Sequence, residues 1–142
     1  MRLTLQGGNT SMVGGATPDE SGRQLVVSLA RLNRIRDIDP LDMTMTAEAG
    51  VVLKTAQDRA ADAGCLFPLS LGAEGTATIG GVVATADSGP LRHRYGAARD
   101  LVVRAVEEHI RIIGAGLPSS QRDPWPRSGN EEKRRLVWEV HQ

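Results

Sequence analysis

Aromatic residues, cysteine and net charge are all scarce in this 142-residue sequence. Aromatics make up 3%, so an apolar core would have to be mainly aliphatic. The one cysteine, Cys65, excludes an internal disulfide and fits a reducing cytoplasm. Seventeen basic residues balance seventeen acidic ones, so no overall field attracts nucleic acid.

Long hydrophobic runs are also missing. No apolar run reaches the roughly 18 residues that a membrane span needs. The segment from Met1 to Gly8 has no apolar signal core. We therefore expect a cytoplasmic protein without a membrane span.

The composition that remains predicts a folded unit followed by a different tail. Hydrophobic residues at 40% and charged residues at 24% exclude general disorder. Residues 1–113 have the mixture typical of a globular domain. Residues 114–142 begin with glycine, proline and serine and continue into a charged run, so we predict a divergent, poorly ordered tail.

Hydrophobic periodicity predicts three strands and then a helix. The apolar run 25–29 indicates a buried strand, and 34–39 indicates a second strand that ends before Pro40. Strict alternation over 44–49 indicates a half-buried strand. Over 52–63 the apolar spacing changes to three and four, which predicts an amphipathic helix that ends at Gly64. This order is typical of a mixed α/β or α+β fold.

Two glycine-rich loops carry the functional signal. The first, Gln6 to Gly15, combines paired glycines with polar side chains. Such a loop allows close approach of a ligand and offers successive backbone N–H groups to a phosphate or pyrophosphate. It has neither the P-loop lysine nor the spacing of the dinucleotide-binding glycine motif. A plain hairpin with solvated glycines is the alternative.

The second loop runs from Phe67 to Thr85 and is dominated by small residues. Its segment from Thr78 to Gly81 is predicted to open a helix that reaches about Thr85. Unpaired N–H groups at such a helix start favour an anion. The alternative is that the small residues only permit close helix packing.

These loops together resemble a known family. The segments Gln6–Thr10, Pro68–Gly75, Ile79–Gly81 and Arg94–Gly96 are similar to the FAD-binding domain of vanillyl-alcohol-oxidase-type (PCMH-type) flavoproteins, the FAD-linked oxidases. Within that group the sequence most resembles the D-2-hydroxy-acid dehydrogenases: D-2-hydroxyglutarate dehydrogenase, D-lactate dehydrogenase and the glycolate oxidase flavoprotein subunit. The similarity covers roughly residues 3–102.

The resemblance implies an α+β fold, with a small parallel strand group, a mostly antiparallel sheet and flanking helices. It also implies FAD as cofactor and hydride transfer from a D-2-hydroxy acid to the flavin. The cofactor-binding residues that it implies are Gly7, Gly8, Asn9 and Thr10 at the pyrophosphate, Gly14 and Gly15 in the return of that loop, and Pro68, Leu69, Gly72, Thr78, Ile79, Gly80, Gly81 and Thr85 along the flavin and ribityl chain.

The sequence departs from the family at three places. Ala86, Asp87 and Ser88 stand where members commonly have Asn-Ala-Gly. The family domain begins earlier, with a strand and helix before the first loop, whereas this sequence starts inside the strand that leads to Gly7. After residue 102 the family continues with a strand and turn that residues 103–109 do not match. The family's substrate domain, which carries the catalytic histidines and metal ligands, is expected to be absent. We therefore expect residues 1–113 to be a partial FAD-binding domain with no catalytic or metal-binding residue, inactive by itself. The alternatives are a non-catalytic remnant, or a split-enzyme fragment that acts only with a partner chain supplying the missing parts.

Other reactive residues are interpreted as structural. His93, His109 and His141 are far apart and have no metal-binding spacing. Cys65 has no histidine near it in sequence and is predicted to be a small core residue. Arg92 and Arg94 are predicted to lie on a solvated surface, with contact to an anion as the alternative.

Overall fold

The computed structural model describes residues 2–106 and 109–113 as an α+β fold. Its elements, in chain order, are β1 (Arg2–Gln6), β2 (Gln24–Ser28), β3 (Ile35–Asp39), β4 (Thr44–Ala47), α1 (Leu53–Asp62), α2 (Ile79–Thr85), α3 (Arg92–Tyr95), a 3-10 turn (Ala98–Leu101), β5 (Val102–Val106) and β6 (His109–Ile113). The predicted fold class is confirmed. The tail predicted for residues 114–142 lies outside the described residues.

β1 and β2 form a two-stranded parallel sheet in which Leu3 pairs with Leu25. The position of β2 agrees with the predicted strand, but its predicted burial is wrong. Leu25 is 48% exposed, and Leu3 and Leu5 are each 63% exposed. Strands of parallel sheets are normally covered on both faces. Here no described element covers the face that carries these three leucines.

The second sheet is antiparallel, with strand order β3-β4-β6-β5. β4 lies between β3 and β6, and it is more buried than the predicted half-buried strand. Thr44, Met45 and Ala47 are all buried. Glu48, which the alternation places on a polar face, is only 3% exposed. Its carboxylate accepts hydrogen bonds from the Arg34 N–H and the Arg36 guanidinium, which offset the cost of this burial.

β5 and β6 are strands that the sequence analysis did not identify. They pair with each other, and β6 also pairs with β4, so the hairpin completes the four-stranded sheet. The departure from the family after residue 102 therefore does not end the folded part of the chain. The runs 102–106 and 109–113 are rich in valine and isoleucine, which is a strand signal.

The helix predicted over 52–63 is confirmed as α1. Its buried positions Leu53, Ala56 and Ala60 have the predicted spacing. They belong to one apolar cluster with Phe67 and Ile79. Gly64 follows the helix with φ +75°, the left-handed conformation that permits a glycine stop. Within the described residues, we find no helix long and apolar enough to cross a membrane.

Candidate functional site

The fold brings the two glycine-rich loops into direct contact. A Cβ on Gly7 would overlap the Thr78 hydroxyl. A Cβ on Gly8 would overlap the Thr76 carbonyl oxygen and lie 2.7 Å from its carbon and 3.1 Å from Ala77 Cα. Only glycine permits this approach, so both glycines are needed to seat the first loop on the second.

The first loop presents a run of unpaired backbone donors. In the part of the chain that the structure describes, the amides of Gly7, Gly8, Asn9 and Thr10 donate no hydrogen bond. Asn9 has φ +51°, in the left-handed region, so the chain changes direction within the run. Successive free amides around such a change form a concavity suited to an anion.

Gly14 and Gly15 lie in the return of this loop, away from the contact between the loops. Apart from adjacent residues, no atom that the structure describes lies within 4 Å of where their Cβ atoms would be. The return is held by a hydrogen bond from Thr17 N–H to the Gly14 carbonyl (3.0 Å) and by one from the Gln6 side-chain amide to the Ala16 carbonyl (2.8 Å). These two glycines shape the loop without supporting its contact with the second loop.

Thr78 supplies a side-chain donor at the contact. The residue is 6% exposed, and its Oγ1 is buried without a hydrogen-bond partner among the described residues. Thr78 precedes α2 but makes no side-chain capping bond. A buried hydroxyl without a partner costs free energy, so a ligand that reached it would satisfy it.

The first amides of α2 are already used by the protein. Ile79 N–H donates to the Val51 carbonyl (2.9 Å), and Gly80 N–H donates to the Ala49 carbonyl (2.8 Å). A Cβ on Gly80 would lie 2.8 Å from Ala49 Cβ. These two amides are therefore not free to hold an anion, and close packing explains Gly80. Gly81 has more space around it than Gly80. The nearest described atom to its Cβ position is the Thr78 hydroxyl oxygen, at 3.4 Å.

The remaining residues predicted for the second loop fall into two groups. The side chains of Pro68, Leu69 and Ile79 are fully buried in the core, so they can reach a cofactor only through their backbones. Gly72 and Thr85 are exposed. The Thr85 hydroxyl donates to the Gly81 carbonyl (3.0 Å) at the far end of α2, about 10 Å from Thr78 along the helix axis.

Asp87 and Ser88, which depart from the family pattern, satisfy their polar groups locally. The Asp87 side chain is exposed, and its carboxylate accepts the Ser88 N–H at 2.8 Å. The buried Ser88 hydroxyl donates to the Ala86 carbonyl at 2.9 Å. The negative charge is therefore hydrated and does not burden the loop contact.

The sequence analysis did not identify two carboxylates that accept backbone hydrogen bonds, Glu48 before Ala49 and Glu74 in the second loop. Glu48 lies beside the Ala49 carbonyl that receives an α2 amide, and it binds Arg34 and Arg36. Glu74 lies in the second loop and accepts the Leu71 N–H at 3.0 Å. An acidic residue within a glycine-rich segment was the available signal for Glu74, but it resembles any solvated loop carboxylate.

The structural interpretations of Cys65 and His93 agree with their positions. Cys65 is half-buried against the core, and burial raises the pKa of its thiol, which disfavours the nucleophilic thiolate. His93 is exposed on α3. Arg92 and Arg94 are exposed too, and the Arg94 guanidinium lies 5.3 Å from the centre of the Tyr95 ring. Among the described residues, no group of histidine, cysteine and acidic side chains could hold a metal ion.

Comparison with known proteins bears directly on this pair of loops. A family described as an FAD binding domain matches residues 1–106. The chain belongs to this family. FAD is accordingly the cofactor of the domain, and the matched residues include both glycine-rich loops and the Thr78 contact. The resemblance inferred from the loop motifs is confirmed.

Individual relatives agree with the family and narrow the resemblance. The mitochondrial D-2-hydroxyglutarate dehydrogenase of Bos taurus is 39% identical over 105 residues, covering 72% of this chain and 19% of the relative. The D-lactate dehydrogenase of Archaeoglobus fulgidus is 38% identical over 114 residues, covering 79% of this chain and 25% of the relative. The chain thus spans about a fifth to a quarter of the length of these relatives.

A solved structure supports the fold. An alkyldihydroxyacetonephosphate synthase superposes with a TM-score of 0.68 at 20% identity, covering 96% of this chain and 24% of that one. At this identity the likeness shows the fold alone.

Proposed function

We propose that this chain forms the FAD-binding portion of a flavin-dependent oxidoreductase that oxidises a D-2-hydroxy acid. The substrate class rests on the names of the relatives from Bos taurus and Archaeoglobus fulgidus. Bound FAD supplies the acceptor for a hydride from C2 of the acid. The hydroxyl proton of the acid leaves to a base, and a 2-oxo acid results. We assign that base to no residue of this chain.

The observation that carries the proposal is the run of amides from Gly7 to Thr10, which contacts the second loop and has no acceptor within the described part of the chain. Pyrophosphate is an anion with several acceptor oxygens, and neutral backbone donors can hold it without a lysine. The Thr78 hydroxyl, buried and without a partner among the described residues, adds one donor at the same place. In this proposal these residues bind and orient FAD and exclude water from its phosphates.

A partner chain is the second element of the proposal. The exposed leucines of β1 and β2, namely Leu3, Leu5 and Leu25, form an apolar sheet face of the kind that is normally covered. The chain also corresponds to only part of its relatives' length. We propose that another polypeptide supplies further parts of the flavin and substrate domains. A non-catalytic remnant is the alternative.

We also propose a cytoplasmic location. The single cysteine fits the cytoplasm. The relative from Bos taurus is named as a mitochondrial protein.

Two measurements distinguish an enzyme completed by a partner chain from a non-catalytic remnant. The purified chain is first titrated with FAD, and binding is followed by flavin fluorescence. D-lactate or D-2-hydroxyglutarate is then added to the loaded protein, with and without a polypeptide that supplies the remainder of a relative. We expect the chain to bind FAD saturably both with and without the added polypeptide. We expect flavin absorbance to bleach only when that polypeptide is present. Absence of FAD binding in both cases would overturn the proposal, whereas binding without bleaching in either case would favour the remnant.

A further inference from the structure

The second loop is fixed to the start of α1 by backbone hydrogen bonds. Leu53 N–H donates to the Ala77 carbonyl at 2.8 Å, and Lys54 N–H donates to the Glu74 carbonyl at 3.0 Å. α1 has no side-chain capping bond, so these loop carbonyls take the place of a cap. The position of residues 74–77 is therefore coupled to the first turn of α1.

Glu74 closes this loop with its side chain as well. Its carboxylate accepts the Leu71 N–H at 3.0 Å, which ties the two ends of the turn 71–74 together. Hydrogen bonds from the Ser70 and Gln57 side chains lower the pKa of Glu74, and the Leu71 N–H acts in the same direction. The lowered pKa favours the ionised carboxylate, which accepts the Leu71 N–H more strongly than a neutral acid would.

The segment after Glu74 leads directly to the contact with the first loop. Thr76 and Ala77 form the surface against which Gly8 packs, and Thr78 faces Gly7. A shift of the turn at residue 74 would move that surface. Because Gly8 packs closely against Thr76, such a movement would displace the first loop as well.

We propose that Glu74 is a positioning residue of the cofactor site, whose carboxylate closes the turn 71–74 so that its backbone stays bonded to α1 and Thr76 and Thr78 support the Gly7–Thr10 amides. This inference rests on the proposed function. Within the described residues Glu74 makes no hydrogen bond to Gly7 or Gly8, so it acts through the loop. Its contribution is to hold the shape of the binding site before FAD arrives, which reduces the ordering cost of binding.

The test compares Glu74→Ala with Glu74→Gln, which keeps an acceptor for the Leu71 N–H. Asp62→Ala is the matched control, because Asp62 is an exposed carboxylate at the other end of α1. We expect Glu74→Ala to raise the Kd for FAD about tenfold, as for loss of one hydrogen bond to a charged group. Glu74→Gln should recover most of the affinity, and Asp62→Ala should bind as the unchanged protein does.

A second readout needs no FAD. In the free protein, the amide resonances of Gly7 and Gly8 should shift in Glu74→Ala and stay in place in Glu74→Gln and Asp62→Ala. A loss of stability alone would not move these resonances in the folded state. The inference is overturned if Glu74→Ala leaves both resonances unshifted, or if Glu74→Gln shifts them as much as alanine does. Failure of the unchanged protein to bind FAD would count against the proposed function instead.

Discussion

Replacement of Gly8 by alanine tests the contact between the two loops most sharply. The new Cβ would lie 2.7 Å from the Thr76 carbonyl carbon, whereas carbon atoms pack best at about 3.5–4.0 Å. The loops must therefore separate by roughly 1 Å, since backbone cannot rotate away as a side chain does. Binding groups need placement within about 0.5 Å, so the site should lose its geometry.

The expected magnitude follows from this overlap. Overpacking costs about 1–3 kcal/mol of free energy. This cost would be observed either as a lower stability of the protein or as weaker FAD binding. We expect Gly8→Ala to raise the Kd for FAD at least about tenfold, which corresponds to about 1.4 kcal/mol. Gly15→Ala is the matched control in the same loop, because its Cβ would enter open space and its φ is not left-handed. It should keep the Kd within about twofold, as surface substitutions away from special features do.

The assay is a fluorescence titration of FAD against both variants and the unchanged protein, together with thermal unfolding of each. The unfolding data separate a weakened site from an unfolded one. Equal affinities for Gly8→Ala and Gly15→Ala, with equal stability, would refute the reasoning, because the overlap at Thr76 would then have no consequence.

Three further substitutions probe separate parts of the account. Thr78→Val removes the buried hydroxyl and keeps the side-chain shape, so the free energy of unfolding in urea should rise by about 1 kcal/mol while FAD binding weakens. A lower free energy of unfolding would contradict this. Glu48→Gln should cost about 1–3 kcal/mol in urea unfolding at pH 7. Burial raises the pKa of Glu48, but hydrogen bonds from Arg34 and Arg36 bring it below the ordinary 4.5. The stability lost in Glu48→Gln should therefore be largest above pH 4.5 and should disappear as the pH falls through the lowered pKa of the folded protein. A loss of stability that persists in acid would contradict this. Asp87→Asn should leave the Kd for FAD within about twofold because the carboxylate is exposed; a larger gain would show that its charge acts on the site.

Local sequence signals predicted the elements whose stabilising contacts lie close in the chain. α1 follows from apolar spacing alone, and Gly64 ends it as predicted. β2 was placed correctly, but its burial could not be predicted, since burial depends on what covers the sheet face. β5 and β6 were missed because the family motif ends near them, although their valine and isoleucine content was visible.

The site was predictable as two loops and not as a set of hydrogen bonds. The contact of Gly7 with Thr78 joins residues about seventy positions apart, so no local pattern encodes it. The fate of the Ile79 and Gly80 amides depends on the Ala49 and Val51 carbonyls, about thirty residues earlier in the chain. The sequence left two alternatives for the start of α2, an anion site and close packing. The structure shows close packing at the Ile79 and Gly80 amides.

The central claim is that both glycine-rich loops form one FAD site. The most direct measurement is a titration of the isotope-labelled chain with FAD, followed through its backbone amide resonances. We predict that Gly7 to Thr10 and Thr76 to Thr78 shift together along one saturation curve, with the largest changes at the unpaired amides. Saturable binding that leaves Gly7 to Thr10 unshifted would contradict the claim.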